Sequence, residues 1–565
     1  MGVPYYFKYL VENVGNCVIK RINDKPTILY LDFNGIVYEA KANVIKTLTE
    51  TTPKIMIEYH IINEVVKIME KVIDSIGIHK VMMVYIAIDG VAPMAKMVQQ
   101  RQRRFKSVFE SQLLTDIAKT ENVEKHTAVW DSNAITPGTK FMQRLTDHLK
   151  AYIESCLPCI SSKVSFVLSS SDEPGEGEHK LLTHLEKHRE EHKEYQKVVY
   201  GLDADLIILT LLRNFQHTYL YRESTYFPFE LGGPRKGRSN ASTGSSIQPD
   251  IVSYLYMDVS ILRSAILAEF YKEPMDKARL LIDYICLTYF VGNDFLPNLF
   301  ILKIQNGGFE LLADLYKKGY DRFHRHLVSS APDYKINAAF LRYILAGLLK
   351  KEDGMMKEYA HDHARYRPFL NPKLSNYELK CAMVHHYPHS ICEVDTIQLG
   401  EPGWHERFYE YWLDGKVDTF MIRGMVEKYM EGLSWILKYY CVGCPDWRWY
   451  YPYPVAPTIR DFLAMMPMNV DSIHTQFDAS NSIIADIRVA NLFQLLTILP
   501  KNSNKVMPKE WRSIMNLPQL LYLYPTQFPI KTLYRRFYHE CYPVLPKLDG
   551  RLYSFVEKCV KKICV

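Results

Sequence analysis

Over the first 330 residues, short apolar runs alternate with stretches of helical spacing. The runs "TILYLD" (27–32), "MMVYIAID" (82–89), "VSFVLS" (164–169), "KVVYGLD" (197–203) and "TYLYR" (218–222) predict strands. Strands separated by helical segments imply an α/β fold, a mostly parallel sheet flanked by helices. From about residue 335 the apolar spacing lengthens into helical segments such as "NAAFLRYILAGLLKK" and "TFMIRGMVEKYMEGLSWILKYY". These lead into an aromatic knot, "CPDWRWYYPYPVAP" (444–457), and then into helical pieces broken by prolines. The expected division is an α/β domain over 1–330 and a mainly helical region over 331–565. The Gly/Ser/Pro-rich stretch 231–250 reads as a surface loop.

Several predicted strands end at or near an acid: Asp32, Asp89 and Asp203. In open α/β sheets ligands bind beyond the carboxyl ends of the strands, so these acids are expected to gather on one edge. Asp205, Glu176, Glu178 and Asp294 extend the set. Asp203 and Asp205, two apart, fall on one side of an extended segment. Glu176 and Glu178 diverge by about 200° on a regular helix, and converge only if the turn at Gly175 and Gly177 is irregular. Two like charges 4 Å apart repel by about 4 kcal/mol at an effective dielectric near 20. Seven carboxylates in one pocket therefore demand cations or protons. Oxygen-only donors suit Mg²⁺, or Mn²⁺, better than zinc, and a pair of such ions suits phosphodiester cleavage. Any one of these acids read alone is an ordinary surface turn or helix cap; the set at strand ends reverses that reading.

The segment after Asp89, "GVAPMAKMVQQRQRRFKS", predicts a helix starting at Pro93. On it Lys96, Gln100, Arg103 and Arg104 share an arc of roughly 100°. Beside a carboxylate site this basic face reads as a phosphate clamp. Bulk composition adds little: 565 residues, 48% apolar, 23% charged and a net charge of +6 describe an ordinary globular chain. Eleven cysteines, odd in number and scattered, argue against a disulfide framework. The C-x-x-C pairs Cys156/Cys159 and Cys441/Cys444 read as reduced thiols rather than a zinc site. No apolar stretch approaches 18 residues and no signal peptide is visible, so a soluble, intracellular protein without membrane association is expected.

Taken together, "MGVPYYFKYL", "LDFNGIVY", "AIDGVAPMAKMVQQRQRRF", "DSNAITPGTKFM", "PGEGEHK", "GLDADLIIL" and "VGNDFLP" resemble, in order, the catalytic region of the 5′→3′ exoribonuclease (Xrn) family. "YMEGLSWILKYY" and "WRWYYPYPVAP" resemble its second conserved region. The paired acids are more distantly similar to those of flap endonucleases, which share the PIN-like nuclease core. The resemblance implies that Asp32, Asp89, Glu176, Glu178, Asp203, Asp205 and Asp294 bind two Mg²⁺ ions. It implies that Lys96, Gln100, Arg103 and Arg104 form a pocket for a 5′-monophosphate. Tyr38 stands where the family has a base-stacking histidine, and its stacking partner is Trp447 or Trp449. Met94 replaces a usual arginine. The resemblance also implies that the chain lacks the long C-terminal extension of the large cytoplasmic members and is similar to the compact forms carried by large DNA viruses.

The function so implied is magnesium-dependent 5′→3′ hydrolysis of single-stranded, 5′-monophosphorylated RNA to nucleoside 5′-monophosphates, by a cytoplasmic monomer. The resemblance admits a decapping enzyme as partner. The rival readings are a flap-endonuclease-like 5′ nuclease acting on DNA, which the same acids would serve, and a non-catalytic RNA-binding scaffold, which would not need all seven.

Overall fold

The computed structural model describes residues 3, 5–123, 130–155, 164–201, 203–223, 254–391, 393–468, 470–477, 486–548 and 551–563. The predicted loop 231–250 and the Cys156/Cys159 pair lie outside the described residues. Among the described residues seven strands form the main sheet: β1 (Val18–Ile19), β2 (Thr27–Asp32), β3 (Val81–Ala87), β4 (Ser165–Ser169), β5 (Gln196–Tyr200), β6 (Thr218–Glu223) and β7 (Tyr254–Asp258). Their order is β1-β7-β6-β5-β2-β3-β4. The five strands from β6 to β4 run parallel, while β7 and β1 add antiparallel at one edge. All five predicted strands are present; β1 and β7 are additions to the reading from sequence.

Period-2 alternation assigns the two faces. Ile28 and Tyr30 of β2 pack into one core, Leu29 and Leu31 into another. On β3 and the residue after it, Tyr85 and Ala87 join the first core, and Val84, Ile86 and Ile88 the second. Continuing the alternation carries Asp32 and Asp89 to the first face. The second face is covered by helices Asn34–Thr47, Lys54–Ile76 and Lys140–Ser155, whose apolar stripes (Ile57, Ile61, Val65, Met69, Val72 in one of them) complete that core. From β2 the chain moves outward one way through β3 and β4. It then returns to the other side through β5 and β6, leaving a topological switch beside β2.

The first core does not stop at the sheet. It runs without a break through helices Lys277–Tyr289, Gly308–Phe323, Ala338–Arg365 and Thr419–Cys441. The helix Thr419–Cys441 and the aromatic knot after it brace the turn that carries Asp294. Trp435 stacks on Trp449 with ring centres 5.2 Å apart, and its indole N–H donates to the Asp446 carbonyl at 2.8 Å. The Tyr429 hydroxyl donates to the Pro297 carbonyl at 3.0 Å. Gly432 permits this approach, since a Cβ there would lie 2.7 Å from Leu296 and 3.0 Å from the Trp449 ring. A third core joins the basic helix Met94–Thr120 to helix Ile487–Ile498 and the segments after it. Arg101 pins that contact, donating to the carbonyls of Thr497 and Leu523. Cys441 and Cys444 are free thiols, and burial pushes Cys441 up to about 12. Among the described residues no helix is long and apolar enough to cross a membrane.

The close packing at Gly432 makes a prediction. Gly432→Ala forces Leu296 or Trp449 to shift and is expected to cost about 1–3 kcal/mol, the usual range for overpacking a core. Urea denaturation reads this directly. An unchanged midpoint would mean that the Leu296 side chain yields freely and the brace is loose.

Candidate active site

Two residues past β2 and β3, the chain builds its acidic edge. Asn34 closes against Asp89 in both directions: its amide donates to Asp89 Oδ2 at 2.6 Å, and the Asp89 N–H donates to Asn34 Oδ1 at 3.2 Å. The Gly177 N–H donates to Asp89 Oδ1 at 2.7 Å. A Cβ on Gly177 would sit 2.9 Å from Asp32 Oδ1 and 3.3 Å from Asp89 Oδ1, so the site requires glycine there. Gly177 begins the helix Gly177–Lys187, with Glu176 extended just outside it and Glu178 in its first turn. That irregular entry is what the two glutamates needed in order to converge. Oxygens of Asp32, Asp89 and Glu178 lie within 4.8 Å of one another.

The second half of the cup comes from β5, helix Asp205–Arg213 and the turn at Asp294. Asp205 does not continue an extended segment, as its spacing from Asp203 had implied. β5 ends at Tyr200, and Asp205 is the first residue of a helix. Asp203 Oδ1 accepts from the Asp205 N–H at 3.2 Å, so the first acid orients the second. Asn293 ties the turn around Asp294, its side-chain oxygen accepting from the N–H groups of Phe295 and Leu296, both at 2.9 Å.

Lys96 enters this cup from the basic helix. Its ammonium lies 2.5 Å from Glu176 Oε2 and 2.9 Å from Asp294 Oδ2, in a buried setting. Burial works against its charge, but Asp294, Glu176 and Glu178 together hold it protonated far above the usual lysine range. Burial likewise raises Glu176, and there the lysine prevails, leaving Glu176 below the ordinary glutamate value. Asp32, Asp89, Glu178 and Asp205 go the other way. Burial, reinforced by Asp89 and Asp203, lifts Asp32 well above the usual range. Burial and Glu176 do the same to Glu178. Asp205 is pushed up to about 8 by burial, Asp203 and Asp294.

The rest of the predicted basic face divides. Gln100 is half-buried and Arg103 exposed. Arg104 is buried and donates to Asn133 Oδ1 at 3.0 Å, where burial pushes it down to about 10 and the nearby Tyr38 hydroxyl opposes that shift. Asn133 is held by Asp131 and reaches Ser503 Oγ at 2.8 Å, so the "DSN" motif positions Arg104. Tyr38 stays 41% exposed beside this helix. Trp449 is buried against Trp435 with its N–H 3.3 Å from Glu431 Oε2, whereas Trp447 is only half-buried. The Trp447 carbonyl accepts from the Met94 N–H at 2.9 Å, tying the knot to the start of the basic helix.

Four contributors escaped the sequence reading. Tyr439 donates to Glu176 Oε1 at 2.6 Å, and Tyr440 reaches Asp205. Lys180 Nζ donates to the carbonyls of Ile88 at 2.8 Å and Ser170 at 2.7 Å, clamping the ends of β3 and β4. Asn34 is the fourth. Its position two residues after Asp32 was a signal available in the sequence; nothing marked Tyr439 among 40 tyrosines.

The donor set fits divalent cations. It is all oxygen, its acids outnumber the one lysine among them, and Asp205 Oδ1 is buried with no hydrogen-bond partner. Clustered carboxylates at the carboxyl edge of a parallel sheet, beside a basic helix, define a nuclease-type α/β core. The profile described as "XRN 5'-3' exonuclease N-terminus" matches residues 1–224, and "Xrn1 helical domain" matches 274–387 and 375–563. The chain belongs to the Xrn family. It is 27% identical to a 5′-3′ exoribonuclease 2 homolog of Drosophila melanogaster, over 98% of this chain and 70% of that protein. It is 25% identical to the 5′-3′ exoribonuclease 2 of Gallus gallus, over 98% of this chain and 69% of that protein. The corresponding protein of Arabidopsis thaliana is 27% identical over 98% and 66%.

Two predictions follow from the cup's electrostatics and packing. Asp205 titrates near 8 when folded and near 3.8 when not, so the folded chain binds the extra proton. The stability this proton confers is complete below about 4 and lost as pH rises through about 8. A divalent ion must displace such protons. The gain in thermal midpoint from saturating Mg²⁺ over EDTA is therefore expected to grow from about pH 6 to about pH 8. A gain that stays flat would place ion binding elsewhere. Gly177→Ala, which presses a methyl onto Asp32 and Asp89, is expected to weaken Mg²⁺ binding about 10–100-fold, as loss of ligand support typically does; calorimetric titration measures it.

Proposed function

We propose that this 5′→3′ exoribonuclease removes nucleotides one at a time from single-stranded RNA that begins with a 5′-monophosphate. The observation that carries the reading is the position of the basic helix. Its Lys96 lies in the acidic cup, while Gln100 and Arg103/Arg104 follow about 6 and 12 Å further along its axis. A terminal phosphate held by Gln100, Arg103 and Arg104 keeps the first phosphodiester near the carboxylates, and so fixes which bond is cut. Lys96 belongs to this pocket as its inner member, joining clamp to cup.

Asp32, Asp89 and Glu178 would hold one Mg²⁺, and Asp203, Asp205, Glu176 and Asp294 a second, with Mn²⁺ as an alternative. When bound, such ions supply an activated water and charge stabilisation at the departing 3′-oxygen. The chain's own residues do the rest. Asn34 and the Gly177 N–H orient Asp89, and Tyr439 and Lys96 orient Glu176. The buried walls exclude bulk water. Tyr38 and Trp447 flank the clamp as stacking faces for the leading bases, each worth about 1–3 kcal/mol. Trp449 is instead buried against Trp435. A nuclease domain of about 330 residues braced by the helical remainder fits these contacts. A decapping enzyme that exposes the 5′-monophosphate, and residence in the cytoplasm, suit such a substrate.

RNAs of one sequence carrying a 5′-monophosphate, 5′-hydroxyl or 5′-triphosphate test the clamp. The monophosphate is expected to be degraded fastest, and Arg104→Ala should erase that preference while leaving residual cleavage. Equal decay of all three by the unaltered enzyme would reject it. Trp447→Ala should raise KM about 10-fold, in line with one lost stacking contact. If Trp447→Ala is silent, the pairing with Tyr38 is wrong.

A further inference from the structure

At the far end of the helix that carries Glu178 and follows Glu176, the sequence reads His184-Leu-Glu-Lys-His188-Arg-Glu-Glu191-His192. The helix proper closes at Lys187, but the backbone keeps turning, and the His192 N–H donates to the His188 carbonyl at 2.9 Å. That turn stacks the imidazoles. His184 and His188 lie 4.4 Å apart between ring centres, and His188 and His192 5.2 Å apart at 15°. Glu191 reaches between the last two, with Oε2 2.8 Å from His188 Nδ1 and Oε1 4.0 Å from His192 Nε2.

We propose that His188, Glu191 and His192 form a binding site for a zinc-class transition metal, separate from the acidic cup. One donor atom from each of the three lies within 4.8 Å of the others. Donors bonded to a single ion at about 2.0–2.2 Å are closer together than that, so a small contraction closes the site. Two imidazoles and one carboxylate suit zinc, cobalt or nickel, whereas magnesium prefers oxygen alone. The outer contacts also fit. His192 directs Nε2 toward Glu191 while its Nδ1 faces the Tyr30 hydroxyl at 3.5 Å, the kind of second partner that fixes a ligating ring. Neighbouring cations are engaged elsewhere: Arg189 pairs with Glu186 and the Arg213 carbonyl, and Lys197 donates to the carbonyls of Lys193 and Gln216. His192 is buried and Glu191 exposed, leaving one side open to water as a fourth ligand.

The placement suggests what the ion does. Eleven helical residues set the site about 16 Å from the glutamates at the helix start. Tyr30, under His192, shares its strand and face with Asp32, two residues on. An ion here would fasten the end of that helix over β2, which makes these three positioning residues. The proposal stands independently of the substrate assigned above.

The test uses the full chain, stripped with chelator and titrated with Co²⁺ while several millimolar Mg²⁺ saturates the cup. One equivalent of Co²⁺ is expected to bind with visible d–d absorption, and equimolar Zn²⁺ should displace it. Glu191→Gln and His188→Ala alter solvent-reachable side chains and spare the fold, which circular dichroism confirms. Each should weaken Co²⁺ binding at least about 10-fold, as should Tyr30→Phe to a smaller degree. Zn²⁺ should raise the thermal midpoint of the unaltered protein more than that of either variant. Absence of a magnesium-resistant equivalent overturns the proposal. So does unaltered Co²⁺ binding in both variants.

Discussion

The structure depends on holding seven carboxylates together in a desolvated cup around the Lys96 ammonium. Like charges at contact distance repel by about 4 kcal/mol per pair at an effective dielectric near 20. Lys96, shared between Glu176 and Asp294, offsets one of these charges and leaves six in excess. The protein meets part of the remainder with protons, which is why Asp32, Glu178 and Asp205 titrate so high. Such a site cannot fold first and recruit its scaffold afterwards. Rigid elements must already converge on it, and the repulsion explains why so much apolar surface is committed to their packing.

That demand accounts for the continuity of the first core across the chain. A nuclease sheet alone would present Asp32, Asp89 and Asp203 but leave Glu176 and Asp294 poorly held. The helix Thr419–Cys441 supplies the Tyr439 hydroxyl to Glu176 and lies against the Asp294 turn through Gly432. Gln494 accepts from the Ala92 N–H at 2.9 Å, and the Trp447 carbonyl accepts from Met94. The entry to the basic helix is thereby fixed by residues some 350–400 positions away. The second region acts as the mould in which the first sets its charges.

The sequence was most legible where burial is one-sided. β2 was read to the residue because every second side chain faces a different core, and the acids at strand ends followed from that register. It was least legible where burial is complete. Leu206 to Leu211 are all buried, so the run shows no 3.6-residue period, and Asp205 passed for part of a strand. β1 is two residues long, too short to show any period. Spacing placed Lys96 and Arg104 on one face, yet only packing shows that the first turns to the carboxylates and the second to Asn133. Nor could the "WRW" pattern separate Trp447 from Trp449, because the difference lies in Trp435, which stacks on one of them.

Helix direction ties these features together. Glu178 stands in the first turn of its helix and Asp205 at the first residue of another, so two N-termini point at the cup. Each such placement favours an anion by about 0.3–1 kcal/mol, well below the repulsion between neighbouring acids. The dipoles therefore orient the carboxylates but cannot stabilise them as a charged set. At the opposite end of the Glu178 helix the same polarity favours cations, and there the chain gathers His184, His188 and His192. A cation held at that end and anions held at the start both act along one rod. Because the rod lies on β2 beside Tyr30 and Asp32, restraint at its far end bears on the geometry of the cup without touching substrate.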